Sequence, residues 1–367
     1  MSLPTQYTSQ AQQMTTNSSP SLLLALPEDV QRRLLAGCRY EDLFSVASVC
    51  RPLRDVVNSP RFTNARLSHG FAERAVVLVG TRRPYAVDIR SAQTRAVKVS
   101  ITGELELTAD SGGTTTDGRR LFVSCKIAQP PFSPTVVYAL DVISRRWSLF
   151  ARLPHNRGLH CMEWYAGRLY VAGGENNHDN DVISSFCVYN EATRSWDNLP
   201  PMPIGCCYAS SGVIGDLLLI AGGRGAARRL QIYNFTTGQW RLGPRLPQGR
   251  VCNPGVVAEG KLFIPSQRSM LIYDPLSNAW TWEPPPFDDS WMCACAHDGR
   301  IIAFLENGGA YERAPDGTWF PYRCTAHAKD ALEAPADAPD YEQNVPHHEL
   351  TWHDDWGTTR AESILLG

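Results

Sequence analysis

The groups in this chain with the chemistry to act on another molecule are clustered thiols, imidazoles and guanidiniums. Cys206-Cys207 and Cys293-x-Cys295 bring sulfurs close together, and His347-His348 with His353-Asp354-Asp355 sets imidazoles beside carboxylates. Neither cysteine pair has the CxxC spacing of a structural zinc site. The 11 cysteines are odd in number and scattered. They read as reduced, buried small hydrophobes, with these two pairs on inner strands. The histidine and aspartate run lies in a polar stretch and reads as solvated. No metal or other cofactor is expected. Arg157 and Arg250 follow Leu-Pro pairs at similar offsets. Facing a shared mouth, they would hold an acidic group; the alternative is a structural hydrogen bond across a repeat boundary. No Ser-centred elbow, phosphate loop or dinucleotide fingerprint stands in a strand-to-helix context. Catalysis by this chain is therefore not expected.

Composition removes other classes. With 367 residues, 43% of them hydrophobic, the chain is long enough for one large domain and a small one. The net charge of -2, without a basic stripe, argues against nucleic-acid binding. No apolar run approaches the roughly 18 residues of a membrane span. The first 21 residues are polar and lack the basic and apolar segments of a secretory signal. The expected location is cytoplasmic, nuclear or both.

Two kinds of structure must position these groups. From 22 to 67 the apolar spacing is helical: Leu26-Pro27-Glu28-Asp29 places proline at the first helical position with acids in the first turn. Val30 and Leu34 lie four apart, and a second stripe runs Leu43, Val46, Val49/Cys50, Leu53. From 72 to 324 the pattern is short β-branched and aromatic runs punctuated by Gly, Pro and Asn/Asp. Three features recur in order there. A Gly-(Arg/Lys/Asp)-Leu strand comes first, as at Gly167-Arg168-Leu169 and Gly215-Asp216-Leu217, ending twice in Gly-Gly (Gly173-Gly174, Gly222-Gly223). An aromatic-(Asn/Asp) strand leads through a turn to tryptophan, as from Tyr189 to Trp196, Tyr233 to Trp240 and Tyr273 to Trp280. A Leu-Pro-type exit follows, as at Leu153-Pro154 and Leu246-Pro247. The tryptophans recur about every 40 to 50 residues, the period of a four-stranded propeller blade. Five blades are visible. A sixth starts near Ala75-Val76-Val77-Leu78-Val79 without its tryptophan, and either this stretch or residues after Cys324 would close the ring. The segment 325 to 367 reads as a polar, largely flexible tail, and 1 to 21 as a disordered leader.

Leu26-Pro27 through Val49-Cys50-Arg51-Pro52-Leu53-Arg54 resembles the F-box, which opens with Leu-Pro and carries Val-Cys-Lys/Arg-x-Trp-Arg; Leu53 stands where tryptophan is frequent. The repeats resemble kelch repeats, and the order of modules is similar to the F-box/kelch proteins of plants. The resemblance implies a small all-α F-box bundle (22 to 67) followed by an all-β kelch-type propeller (72 to 324) of five to six blades. It implies the substrate-recognition subunit of an SCF-type ubiquitin ligase, itself non-catalytic, docking on a Skp-type adaptor and through it on a cullin-RING ligase. Leu26, Pro27, Val30, Leu43, Val46, Val49, Cys50 and Leu53 would supply that docking face, the alternative being that several of them form the bundle's own core. A smaller side chain at Leu53 would weaken docking. The propeller would hold a protein substrate through loops and a central mouth. Arg157, Arg250, Arg224 and Trp291 are the candidate contacts, within or near the loops Glu175 to Asp181, Arg224 to Arg229, Ser266 to Ser269 and Asp288 to Trp291. A kelch scaffold without ligase activity is the alternative reading. A kelch-bearing copper-radical oxidase is a distant third, since no histidine-rich cluster occurs within the blades.

Overall fold

The structure is a computed structural model that describes residues 22–38, 42–57, 59–70, 73–79, 84–87, 96–98, 113–126, 134–141, 146–176, 181–247, 249, 255–266, 269–284, 291–297, 299–305, 309–322 and 360–366. The chain divides into a helical unit ending at Ala72 and a β unit, Glu73–Leu366. Among the described residues, no helix is long and apolar enough to cross a membrane.

The helical unit contains α1 (Glu28–Ala36), α2 (Asp42–Val49), α3 (Arg51–Val57) and α4 (Pro60–Ser68). Pro27 precedes α1 as its cap, because its ψ of 145° is extended. Glu28 and Asp29 occupy the first turn, where the helix dipole favours negative charge. Leu35, Leu43, Leu53, Val56, Val57 and Phe62 are buried. Arg66 on α4 is fully buried, and its Nη1 donates to the carbonyls of Ala36 (2.9 Å) and Cys38. It thereby satisfies acceptors that α1 leaves open at its C-terminus.

The β unit is a ring of four-stranded antiparallel sheets. Five blades are each one contiguous stretch. Blade one contains Thr114–Thr116, Arg120–Lys126, Thr135–Asp141 and Arg146–Arg152; blade two contains Cys161–Tyr165, Arg168–Ala172, Phe186–Asn190 and Ser195–Leu199. Blade three contains Ser210–Ile214, Leu217–Ala221, Leu230–Asn234 and Gln239–Leu242; blade four contains Val256–Ala258, Lys261–Ser266, Ser269–Asp274 and Ala279–Glu283. Blade five contains Trp291–His297, Arg300–Leu305, Ala310–Arg313 and Trp319–Pro321. The sixth sheet joins both ends of the repeat array: Arg360–Leu366 pairs along Glu73–Val79, which continues to Pro84–Val87 and Ala96–Lys98. This corrects two expectations. The propeller does not end at 324, and the segment 325 to 367 is not all tail, because its last strand supplies the ring's closing edge. An open ring would leave Glu73–Val79 with an unpaired row of backbone groups, which the full register from Glu73↔Leu366 to Val79↔Arg360 removes. Residues 323–359 and the leader 1–21 lie outside the described residues.

The repeat signature does the same physical work in successive blades. Tyr189, Tyr233 and Tyr273 each pair across strands with Trp196, Trp240 and Trp280, every ring pair 5.1 Å apart. Each indole then reaches the preceding blade's exit, Nε1 donating to the carbonyl of Arg152 (2.7 Å), Pro200 (2.8 Å) or Pro244 (3.2 Å). Between blades lie apolar clusters, such as Leu219, Leu230 and Ile232 of blade three with Leu262, Leu271 and Tyr273 of blade four. A buried arginine with two partly exposed glutamates adds an ion group to the seam between blades four and five. Arg313 donates through Nε and Nη2 to both carboxylate oxygens of Glu283 (3.0 and 2.8 Å) and through Nη1 to Glu259 (2.9 Å).

Candidate docking face and candidate target-binding end

On the helical unit, the eight residues expected to meet an adaptor divide in two. Leu43 and Leu53 are each only 4% exposed and belong to the interior. For these two, burial favours the alternative given with the expectation, that they form the bundle's own core. Leu26 (37% exposed), Pro27 and Val49 (72% exposed) face outward, while Val30, Val46 and Cys50 are half-buried. Gln31 is buried and fixes the entry to α1, its Nε2 donating to the Leu26 carbonyl at 2.7 Å. Arg54 Nε donates to the Ala47 carbonyl (3.1 Å) and ties α3 to α2. Leu34, 58% exposed, shares a face of α1 with Val30 and was not among the eight. The four-residue spacing was the signal for it; the stripe it marks is an outer one, whereas Gln31, Leu35 and Ala36 turn inward. Exposed apolar side chains on so small a unit are the feature that a binding partner explains.

On the β unit, antiparallel order alone sorts the loops. Strands one and two, and three and four, of each blade join at one end; the two-to-three connections and the passages between blades therefore lie at the other. All four candidate loop segments belong to that second end. Glu175–Asn176 pairs with Arg157–Gly158 as a small extra sheet. Arg224, about half exposed, forms an ion pair with Glu175 and donates through Nε to Cys207 Sγ at 3.3 Å, linking the loops of blades two and three. Arg228 Nε and Nη2 bind the carbonyls of Leu246 and Pro247 (3.0 and 2.9 Å). Ser266 and Ser269 are cross-strand partners. Trp291 begins blade five's first strand opposite Leu305. Arg250 and residues 285–290 lie outside the described residues.

Arg157 is fully buried, so it does not meet a target at the free surface as expected of a mouth residue. Its Nη1 donates to the Gly173 carbonyl at 3.0 Å. Burial pushes its pKa down. The innermost strands of the blades surround a cavity of about 300 Å³ lined by Thr115, Glu163, Ser211, Val257 and Cys295 among others. There the Ser211 hydroxyl donates to Glu163 Oε1 at 2.6 Å.

The thiols behave as interior groups. Cys125, Cys161, Cys187, Cys206, Cys207, Cys293 and Cys295 are buried and unbridged. Burial pushes the Cys125 thiol up to about 12 and that of Cys187 to about 11. Cys206-Cys207 sits on the passage into blade three and not on an inner strand, a correction; Cys293 and Cys295 are on blade five's innermost strand as expected. No group of three or more potential metal ligands occurs among the described residues, and His347, His348 and His353 lie outside them.

This is the class of protein the two units define: a small helical module and a blade-repeat propeller. Comparison supplies the family terms. Residues 23–64 match the F-box domain, and residues 157–203 match the Kelch motif. An F-box/kelch-repeat protein of Arabidopsis thaliana, At1g67480, is 28% identical over 60% of this chain and 61% of its own length. A second from the same plant, SKIP20, is 23% identical over 71% of this chain and 66% of its own length. Kelch repeat and BTB domain-containing protein 12 of Danio rerio is 27% identical over 37% of this chain and 27% of its own. The chain carries an F-box and kelch repeats of the plant type, and it spans less than two thirds of the length of these relatives.

Proposed function

We propose that this chain is the substrate-recognition subunit of an SCF-type ubiquitin ligase: the F-box docks on a Skp-type adaptor, and through it on a cullin-RING ligase, while the propeller holds the protein to be ubiquitinated. The observation that carries this reading is the division of apolar side chains in the F-box unit, where Leu35, Leu43, Leu53 and Phe62 fill the interior and Leu26, Leu34 and Val49 remain outside it. The subunit does no chemistry. It raises the local concentration of an acceptor lysine beside the charged ubiquitin carrier. Specificity belongs to the loop end of the propeller, and the complex works in the cytoplasm, the nucleus or both. The test is co-purification of the chain with a Skp adaptor and cullin, comparing wild type with Leu26→Ala/Pro27→Ala. Binding lost in a variant whose circular dichroism is unchanged supports the reading. Folded wild-type protein that binds neither would replace it with a kelch scaffold acting outside any ligase.

A further inference from the structure

Blade three and its exit concentrate positive charge. From 217 to 258 there are six arginines, Arg224, Arg228, Arg229, Arg241, Arg245 and Arg250, and no lysine, aspartate or glutamate. Since the whole chain carries -2 and this stretch +6, the remainder carries -8. Apolar strands separate these arginines in sequence, and the fold gathers them. Arg224, Arg228 and Arg229 belong to the connection between Leu217–Ala221 and Leu230–Asn234, and Arg245 to the passage that leaves Gln239–Leu242, so all four stand at the loop end. The two segments touch: the Leu246 N–H donates to the Arg228 carbonyl (3.3 Å), and a Cβ added at Gly249 would lie 3.7 Å from that of Ala227. Arg224, Arg228 and Arg245 are exposed, and Arg229 is half-buried. Arg224 shows which chemistry suits the patch, since it already holds the carboxylate of Glu175 from blade two. Arg228 is held instead by the neutral carbonyls of Leu246 and Pro247, which fix its side chain without cancelling its charge. Neither Arg228 nor Arg245 pairs with an acid among the described residues. An exposed guanidinium already fixed in place gives up little side-chain entropy when it meets a carboxylate.

We propose that the loop end of blade three, built on Arg224, Arg228 and Arg245, docks an acidic segment of a partner protein, a run of aspartates and glutamates whose carboxylates meet the guanidinium forks. A long polyanion such as a nucleic acid also meets the negative remainder of the chain, whereas a short acidic segment stays within about 10 Å, one screening length, of the arginines. The inference deepens the substrate-recognition reading by naming the kind of substrate, and it rests on that reading for the partner's fate alone. Its test uses no adaptor, so the two fail separately. The experiment follows the fluorescence anisotropy of a fluorescein-labelled peptide of alternating Glu and Gly as the full chain is added, beside a labelled Gln/Gly peptide and a labelled single-stranded oligonucleotide. The Glu/Gly peptide is expected to bind, the Gln/Gly peptide not to, and added salt to weaken the complex. Arg228→Gln and Arg245→Gln each weaken it about three- to fivefold, and together about tenfold or more. Arg119→Gln, exposed in the turn between Thr114–Thr116 and Arg120–Lys126 at the opposite end, leaves it unchanged. Should Arg228→Gln lower the melting midpoint through its lost carbonyl bonds, the exposed Arg245 decides alone. No binding of the Glu/Gly peptide, equal binding of the Gln/Gly peptide, undiminished binding by the arginine variants, or tighter binding of the oligonucleotide overturns the proposal.

Discussion

Replacing Gly173 by alanine tests whether the Gly-Gly strand exit is a packing requirement or merely a turn preference. Gly173 has φ +65°, and a Cβ there would lie 2.4 Å from the Cys206 carbonyl oxygen and 2.9 Å from the Met202 methyl. The left-handed conformation costs an alanine about 1 kcal/mol. The Cys206 carbonyl cannot retreat freely, since it accepts from the Gly174 N–H at 2.8 Å. Losing that bond costs about 1 kcal/mol more, and crowding Met202 about 1 to 3 kcal/mol. Gly173→Ala is therefore expected to destabilise the propeller by about 3 to 5 kcal/mol, which lowers its melting midpoint by about 6 to 20 °C. Gly215 is the control: its φ is +58° but nothing lies within 4 Å of the added Cβ. Gly215→Ala carries only the conformational cost, about 1 kcal/mol. All 10 tryptophans follow residue 73, so fluorescence-detected unfolding in urea reports the β unit without the F-box unit. Equal midpoints for the two variants would refute the argument that carbonyl crowding, and not backbone sign alone, demands glycine at 173.

Three further outcomes are expected. Leu53→Ala opens a hole in the F-box interior and costs about 2 to 5 kcal/mol, so adaptor binding falls together with helical circular dichroism, whereas Leu26→Ala leaves the dichroism intact. Arg313→Met removes the ion pairs to the partly exposed Glu259 and Glu283 at the seam between blades four and five and costs about 1 kcal/mol, measured by the same fluorescence assay, while the triple change to Met, Gln and Gln recovers most of it. Among the cysteines of the described residues, thiol labelling at pH 8 reaches the half-buried Cys38 and Cys50 first. Cys187, raised by burial to about 11, stays protonated and labels only on unfolding, as read by mass spectrometry of the digested chain.

Much of the architecture was legible because the repeat is written in residues with narrow physical roles. A tyrosine-turn-tryptophan unit spaced by about 40 to 50 residues specifies a ring contact and an indole donor in each blade, and Trp196, Trp240 and Trp280 all make them. The helical spacing in residues 22 to 67 was equally plain. Local sequence named Ala75–Val79 and the residues after Cys324 as alternatives for closing the ring but did not show that the two ends pair with each other, because Glu73–Val79 and Arg360–Leu366 lie nearly the whole propeller apart and neither contains the tryptophan that marks the other blades. Candidate sites were legible only in part. Apolar spacing marks a helix face without saying whether it turns inward, so it does not separate the outward Leu34 from the buried Leu43 and Leu53. Arg157 shows the same division most clearly. The residue type alone determined that a charge would stand after the Leu-Pro exit, but tertiary packing decided its fate, because burial and the pairing of Arg157–Gly158 with Glu175–Asn176 come from chain segments brought together only when the blades assemble.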